Sequence, residues 1–579
     1  MRGFALRNVM VLVTVLAAFL LAGCGTGAAE TAVNPVIPVL PPPAVTISTP
    51  SFVAENVPPT PSPTQTPFPT QTPQPTATLP PPAMSNPLLP QFVDVAAAYD
   101  AAVSVWQPET TGIWQYAENS FLHPIALDVL DNTLFMVDGG RVLALNLSAP
   151  EPPQLMLQPG DFVEGVRVLE PLDLTVSGPF VLVLDRAGDV YRFDPSAQAW
   201  YLDRYDRAVS DSSGHYYVAL GAVGDNGRYL AETNYKYTMY YRPGGSHHDA
   251  LWPLLDVRVV DLAAAGSRVY VLAAEPDTLA GQVNLYENTS LIRTFRANFP
   301  MLQVRQVAAT ETSVYVLDRN GRRLLQFDGR SGALQHVQQL PQNDPVSAFW
   351  VSPEGQIILA GRNRLYFGND PARLGHVPPG TTFAPSQFYD PYFLAALPKL
   401  GLPIGGSPLT VRDFQLPGAP RHYRLGVHEG LDFYWQRGTP VTAVADGIVI
   451  RANTDFVQPS PAEIAAKWQA VTAQGFTDDA SLDFYRGRQV WIEHANGLIS
   501  RYVHLDTIAP GVQVGTAVKQ GQIIGTVGNS GSPSSSESVD ADVHLHFELW
   551  YDDAYLGQYL RPIETREWIL QLFYNENQN

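Results

Sequence analysis

Between residues 91 and 385 the chain is a succession of short apolar runs, each ending in or near an acidic or small residue. The runs are Leu134-Phe135-Met136-Val137-Asp138, Val181-Leu182-Val183-Leu184-Asp185, a weaker Tyr229-Leu230-Ala231-Glu232, Val269-Tyr270-Val271-Leu272-Ala273, Val314-Tyr315-Val316-Leu317-Asp318 and Gln356-Ile357-Ile358-Leu359-Ala360. They read as strands separated by turns. Several are followed by a second strand, such as Val190-Tyr191-Arg192-Phe193-Asp194 and Leu324-Leu325-Gln326-Phe327-Asp328. The copies recur about every 45 residues, the period of a four-stranded propeller blade. Six copies predict a six-bladed β-propeller. The repeated aspartates are expected to cap turns and strand ends rather than to bind a ligand.

In architecture alone this repeat resembles the NHL- and quinoprotein-like propellers. No blade carries a metal or catalytic constellation. Such a domain serves either as a rigid platform or as a receptor whose face takes a protein or glycan ligand. Pro378-Pro379-Gly380 and Pro403-Ile404-Gly405-Gly406 mark a change of composition after it, so residues 386–404 are expected as a linker. A short helix is predicted there near Tyr392 to Leu400.

The patterning before residue 91 is different. Arg2 and Arg7 precede an almost unbroken apolar run from Val9 to Leu21, too short for a comfortable membrane span. Leu21-Ala22-Gly23-Cys24 closes it, a box that resembles that of bacterial lipoproteins. The resemblance implies that residues 1–24 are a signal peptide and that a lipid on Cys24 anchors the protein to a membrane outside the cytoplasm. Cys24 is the sole cysteine, which excludes disulfides. Residues 25–90 are mostly Pro, Thr, Ala and Gln, with too few large apolar side chains to offset the entropy of ordering. At ~3 Å per residue this disordered spacer could reach well over 100 Å.

Composition narrows the partners. The 579 residues exceed what one core supports, and a net charge of −19 argues against nucleic acid, which needs an excess of Lys and Arg.

The chemistry lies in residues 405–579. Val543-His544-Leu545-His546-Phe547-Glu548-Leu549-Trp550 alternates strictly. It predicts a half-buried strand with Leu545, Phe547 and Leu549 in the core and His544, His546 and Glu548 together on the open face. Gly426-Val427-His428-Glu429-Gly430-Leu431-Asp432-Phe433 superficially resembles a helical zinc motif, but its glycines argue for extended chain. With period two, His428 and Asp432 then face the same side and can approach one metal. Ser500-Arg501-Tyr502-Val503-His504-Leu505 is a further strand end. It follows Val490-Trp491-Ile492-Glu493-His494 and an Asn496-Gly497 turn, a hairpin signal.

In that order, Gly-x-His-x-Gly-x-Asp, Tyr-x-His-Leu and His-Leu-His-Phe-Glu resemble the lysostaphin-type zinc endopeptidases of the bacterial cell wall. Gly438-Thr439-Pro440-Val441, Ala445-Asp446-Gly447-Ile448-Val449 and the Val514–Gly531 stretch match too, so the resemblance covers about 150 residues. It implies a small antiparallel β-sheet domain of the duplicated-hybrid-motif type, within an all-β dominated multidomain chain. It further implies Zn2+ held by His428, Asp432 and His546, with His504 and His544 as the catalytic pair and peptidoglycan as substrate. Spacing alone leaves open which histidine of His-x-His binds the metal. Glu548 is placed either behind a ligand or on the surface. Glu429, His494, His422, His247 and His248 are expected outside the chemistry. Thr454 to Arg486, with a helix around Pro461 to Thr472, and the Ser-rich loop from Ser532 to Ala541 depart from the family pattern and flank the groove. The competing classes are a non-enzymatic activator of cell-wall amidases and a propeller-based receptor. A biotin-carrier reading fails for want of a Met-Lys-Met tip.

Overall fold

The six apolar runs all form strands, and each is the second strand of its own sheet. The structure is a computed structural model that describes residues 102–573, apart from 106–109, 119, 206–215, 224–226, 234–237, 243–247, 250–256, 276–278, 319–321, 342–343, 345, 378–390, 408 and 410–411. The leader, Cys24 and the Pro/Thr-rich tract lie outside the described residues. The second strands are Thr133–Asp138, Phe180–Asp185, Gly227–Glu232, Arg268–Ala274, Ser313–Asp318 and Ile357–Ala360. They are buried almost throughout because they lie inside sheets covered on both sides. Fully burying a Val, Leu or Phe side chain is worth about 1.5–3 kcal/mol, so such runs favour the middle of a sheet over its edge.

Each sheet holds four or five strands, and the last two are completed from far upstream. Ala102–Val105 pairs in parallel with Leu334–Gln339, and Thr111–Gln115 pairs antiparallel with Arg364–Gly368. The first strand of each sheet lies against the first strand of the next, and that of the sixth lies against that of the first. Side chains tie these neighbours together. Asp128 accepts the Val176 N–H at 2.6 Å, Asp173 that of Leu220 at 2.7 Å, and Asp261 that of Val307 at 2.8 Å. Gln306 accepts the Phe349 N–H at 2.8 Å, and the Trp350 indole donates back to Asp128 at 2.9 Å. The strand-end aspartates act as caps. Asp138 accepts the N–H groups of Leu122 and His123, and Asp185 those of Leu169 and Glu170.

After these sheets, Leu394, Leu397, Leu400 and Ile404, from the stretch expected as a linker, pack into the core of the C-terminal region. The predicted short helix is Pro391–Ala396. That core is shared by two sheets. One has the order 431–434, 544–551, 498–503, 490–494, 447–452, 517–518, and the other 440–442, 523–527, 505–508. Leu545, Phe547 and Leu549 point into the core as the alternation predicted. The inserted segment holds Pro461–Gln474, started by a Ser460/Glu463 capping box, and a second, unpredicted helix, Asp479–Arg486. Residues 555–567 dock on the six-sheet region. Arg305 pairs with Glu567 at 3.0 Å, His123 with Glu564 at 3.2 Å, and Arg561 donates to the Ser347 carbonyl at 2.9 Å and to that of Ile125. No helix among the described residues is long and apolar enough to cross a membrane.

Candidate metal centre

Strand register brings the two sequence clusters together. Leu431–Tyr434 runs antiparallel to His544–Tyr551, so Asp432 sits directly opposite His546 and Tyr434 opposite His544. Gly430 permits this approach, since a Cβ there would lie 2.4 Å from the Phe547 carbonyl oxygen. On the other side of His546 lies Val503, the last residue of Leu498–Val503. A further regular step would send His504 to the opposite face. Its left-handed φ of 62° instead folds it back over the site, with its ring centroid 5.8 Å from that of His546 and 4.9 Å from that of His544. A positive φ is uncommon outside glycine.

Three acceptor atoms converge. His428 Nε2 lies 2.8 Å from His546 Nδ1, and both lie 2.9 Å from Asp432 Oδ1. The surroundings fix the protons of both rings. His428 Nδ1 is 2.9 Å from the Leu416 carbonyl, which can only accept, so the proton is on Nδ1 and Nε2 carries a lone pair. His546 Nε2 is 3.0 Å from Glu548 Oε1 and donates to it, which leaves the lone pair on Nδ1. Burial, reinforced by the neighbouring Arg421 charge, pushes the His428 imidazole down to about 3 and keeps it neutral. Burial lowers His546 as well, but the Asp432 and Glu548 carboxylates outweigh it and raise its pKa. One shared proton could bridge only one of the three contacts; a cation serves all three lone pairs at once. The residues therefore fit a divalent metal with N/O ligands, in a set of three that leaves a fourth tetrahedral position open.

Each of the three is held from behind. Arg421 donates to Asp432 Oδ2 at 2.9 Å, leaving Oδ1 to face the histidines. Glu548, with 0% exposure, is gripped by Arg486 through two bonds of 2.7 and 2.8 Å and by the Trp550 indole at 2.6 Å. Burial opposes ionisation of Glu548, yet Arg486 and His546 hold its pKa well below the usual carboxylate range. Such outer hydrogen bonds set ligand orientation and tautomer. The face predicted to be open is in fact closed: His544, His546 and Glu548 are all buried, under Arg486 and Tyr485 of the insertion and Pro533 of the Ser-rich loop. A period-two pattern gives the face of a strand but not what covers it.

His504 and His544 stand beside the three acceptors. Their Nδ1 atoms donate to the carbonyls of Ser530 at 2.8 Å and Asp542 at 2.7 Å, so Nε2 of each carries a lone pair. His544 Nε2 is 3.8 Å from Asp432 Oδ1, and its ring stacks on Tyr434. Burial, then the neighbouring His544 and His546, lowers His504 well below its usual value and keeps it neutral. Glu429 pairs with Arg424 at 2.7 Å, His494 bonds Asp446 O and Ser500 Oγ, and His422 bonds the Ala187 carbonyl. All three are thus engaged in structure. Arg421, Arg486 and the Leu416 carbonyl were not singled out in the sequence. Nothing local in the sequence marks them, because the need of Asp432 and Glu548 for cationic partners follows from their burial.

Comparison with known proteins agrees with this geometry. Residues 426–558 match peptidase family M23. The peptidoglycan DD-endopeptidases ShyC and ShyA of Vibrio cholerae are 29% identical over 148 residues and 31% over 126. These matches cover 25% and 22% of this chain and 26% and 21% of theirs. The L-Ala--D-Glu endopeptidase of Bacillus subtilis is 24% identical over 127 residues, 22% of this chain and 30% of that protein. The chain thus spans less than a third of the length of each of these relatives. A WD40 β-propeller domain overlaps 45% of this chain and 82% of its own at 14% identity, with a TM-score of only 0.32. His428, Asp432 and His546 all lie within the family match, and the chain carries a peptidase domain of family M23 near residues 426–558.

Proposed function

We propose that the protein is a zinc-dependent endopeptidase of peptidoglycan, cutting peptide bonds in stem peptides or cross-bridges. The observation that carries this reading is the convergence of three lone pairs, from His428 Nε2, His546 Nδ1 and Asp432 Oδ1, within 2.9 Å of one another. These three residues would hold the ion, and zinc in such a site lowers the pKa of its water and polarises a carbonyl. His504 and His544, with their Nε2 lone pairs available, accept the proton released as water attacks. Once protonated, an imidazole donates to the developing oxyanion or returns the proton to the leaving amine. Tyr434 and the Asp542 carbonyl fix the His544 ring, and the Ser530 carbonyl fixes that of His504. The insertion and the Ser-rich loop narrow the approach and exclude bulk water, which strengthens every charge inside.

The six sheets form a six-bladed propeller on this reading, supported by first strands that follow one another in cyclic order. Lipidation of Cys24 ties the chain to a membrane outside the cytoplasm, and residues 25–90 give the enzyme reach into the wall. The reading is tested by incubating the full chain with purified peptidoglycan. Hydrolysis stops on chelation and returns on adding zinc; hydrolysis indifferent to chelation would overturn it.

A further inference from the structure

The groups that orient the proposed zinc ligands come from one short segment. Leu416 supplies the carbonyl to His428 Nδ1. The Gly418 N–H donates to the His428 carbonyl at 2.7 Å, and the His428 N–H donates to the Ala419 carbonyl at 2.8 Å. Arg421 then holds Asp432. This segment is not braced by its own domain alone. The Tyr216 hydroxyl, from the six-sheet region, donates to the Pro417 carbonyl at 3.3 Å. Arg186, fully buried, donates to Tyr216 Oη at 2.9 Å, to Glu170 at 2.6 Å and to the Leu560 carbonyl at 2.7 Å. Gly418 has a φ of +86°, and a Cβ on it would lie 2.3 Å from Arg186 Nη1 and 2.7 Å from Tyr216 Oη. His422, just beyond Arg421, bonds the Ala187 carbonyl at 3.0 Å. The segment is thus pinned at both ends by Arg186, Ala187 and Tyr216.

We propose that the six-sheet region is a positioning element of the zinc site, with Arg186 and Tyr216 holding residues 416–421 so that His428 and Asp432 present their ligand atoms together. The inference rests on the zinc-peptidase reading above. It gives the larger domain a role in the chemistry that needs no ligand of its own. The bond from Arg305 to Glu567, by contrast, reaches the C-terminal helix and does not touch this segment.

The experiment uses the full chain and reads zinc affinity by competition with a chromophoric chelator, together with melting temperature and the separate kcat and KM for peptidoglycan. Gly418→Ala should weaken zinc binding ~10–100-fold, the usual cost of disturbing an outer-sphere contact, with the loss in kcat rather than KM. Tyr216→Phe should shift affinity in the same direction by less, and it carries the test if Gly418→Ala does not fold. Arg305→Gln should lower the melting temperature and leave zinc affinity at the wild-type value. Wild-type affinity in both folded Gly418→Ala and Tyr216→Phe would overturn the inference. So would an equal loss in Arg305→Gln, since the effect would then belong to docking in general. A wild type that binds no zinc would instead sink the peptidase reading itself.

Discussion

Asp432 and His546 face each other across two antiparallel strands, with Oδ1 and Nδ1 2.9 Å apart. His544, two residues from His546, turns its Nδ1 to a backbone carbonyl and keeps its Nε2 3.8 Å from the same carboxylate oxygen. This difference predicts opposite outcomes for neighbouring mutants. His546→Ala should lose zinc and activity together. His544→Ala and His504→Ala should keep close to one zinc per chain while hydrolysis falls ~10²-fold or more. Zinc measured by atomic emission decides it: loss of metal from His544→Ala with retention in His546→Ala would reverse the assignment.

Arg486 tests whether the insertion builds the site or only covers it. Its guanidinium is the bidentate partner of a fully buried carboxylate that holds His546. Arg486→Met leaves that charge with Arg501, at 3.4 Å, as its remaining arginine partner; it should cost up to about 3–5 kcal/mol in stability and weaken zinc binding ~10-fold or more. Glu548→Gln keeps the volume and an acceptor, so its loss of affinity should be smaller. Chelator competition that finds both variants at wild-type affinity would show that the insertion does not act on His546.

Much of this was legible in the sequence because strands carry their own signature. The six second strands were read from apolar runs and the His544–Tyr551 strand from alternation, which are local properties. The pairing of Ala102–Val105 and Thr111–Gln115 with the last two sheets was not, because it joins segments more than two hundred residues apart. The three converging residues were named through a resemblance that their short motifs carry, while spacing alone left His544 and His546 equivalent. Arg421 and Arg486 escaped because a lone arginine has no periodicity, and its role appears only when the carboxylate it neutralises is seen to be buried. The expected linker also conceals four buried apolar residues, spaced along a stretch whose prolines and glycines dominate its appearance.

Stability should depend on pH through Asp261. Burial pushes this carboxyl up to about 6, while the Val307 and Leu262 N–H groups and Arg561 pull the other way. An unfolded Asp titrates near ~3.9. Between these values the folded chain binds more protons than the unfolded one, so this residue's contribution to stability falls as pH rises through the window. Asp261→Asn keeps an acceptor for Val307 and cannot ionise. It should raise the melting temperature at pH 7.5 and do so less at pH 4.5. An equal change at both pH values would contradict the assignment.

Cys24 is predicted to be the membrane attachment. Cys24→Ser should move the protein from the membrane fraction to the soluble extracytoplasmic fraction, because the preceding apolar run is too short to anchor it alone. An unchanged distribution on fractionation would place the anchor elsewhere.

The central claim is that this site hydrolyses peptide bonds of the cell wall. Its most direct test is mass spectrometry of what the zinc-loaded full chain releases from purified peptidoglycan. The account predicts fragments ending at new amino and carboxyl groups within stem peptides or cross-bridges, with glycan strands and their bonds to the peptides intact, and none of these fragments from Asp432→Ala. Cleavage of the glycan or of the sugar–peptide amide, or no release at all, would contradict it.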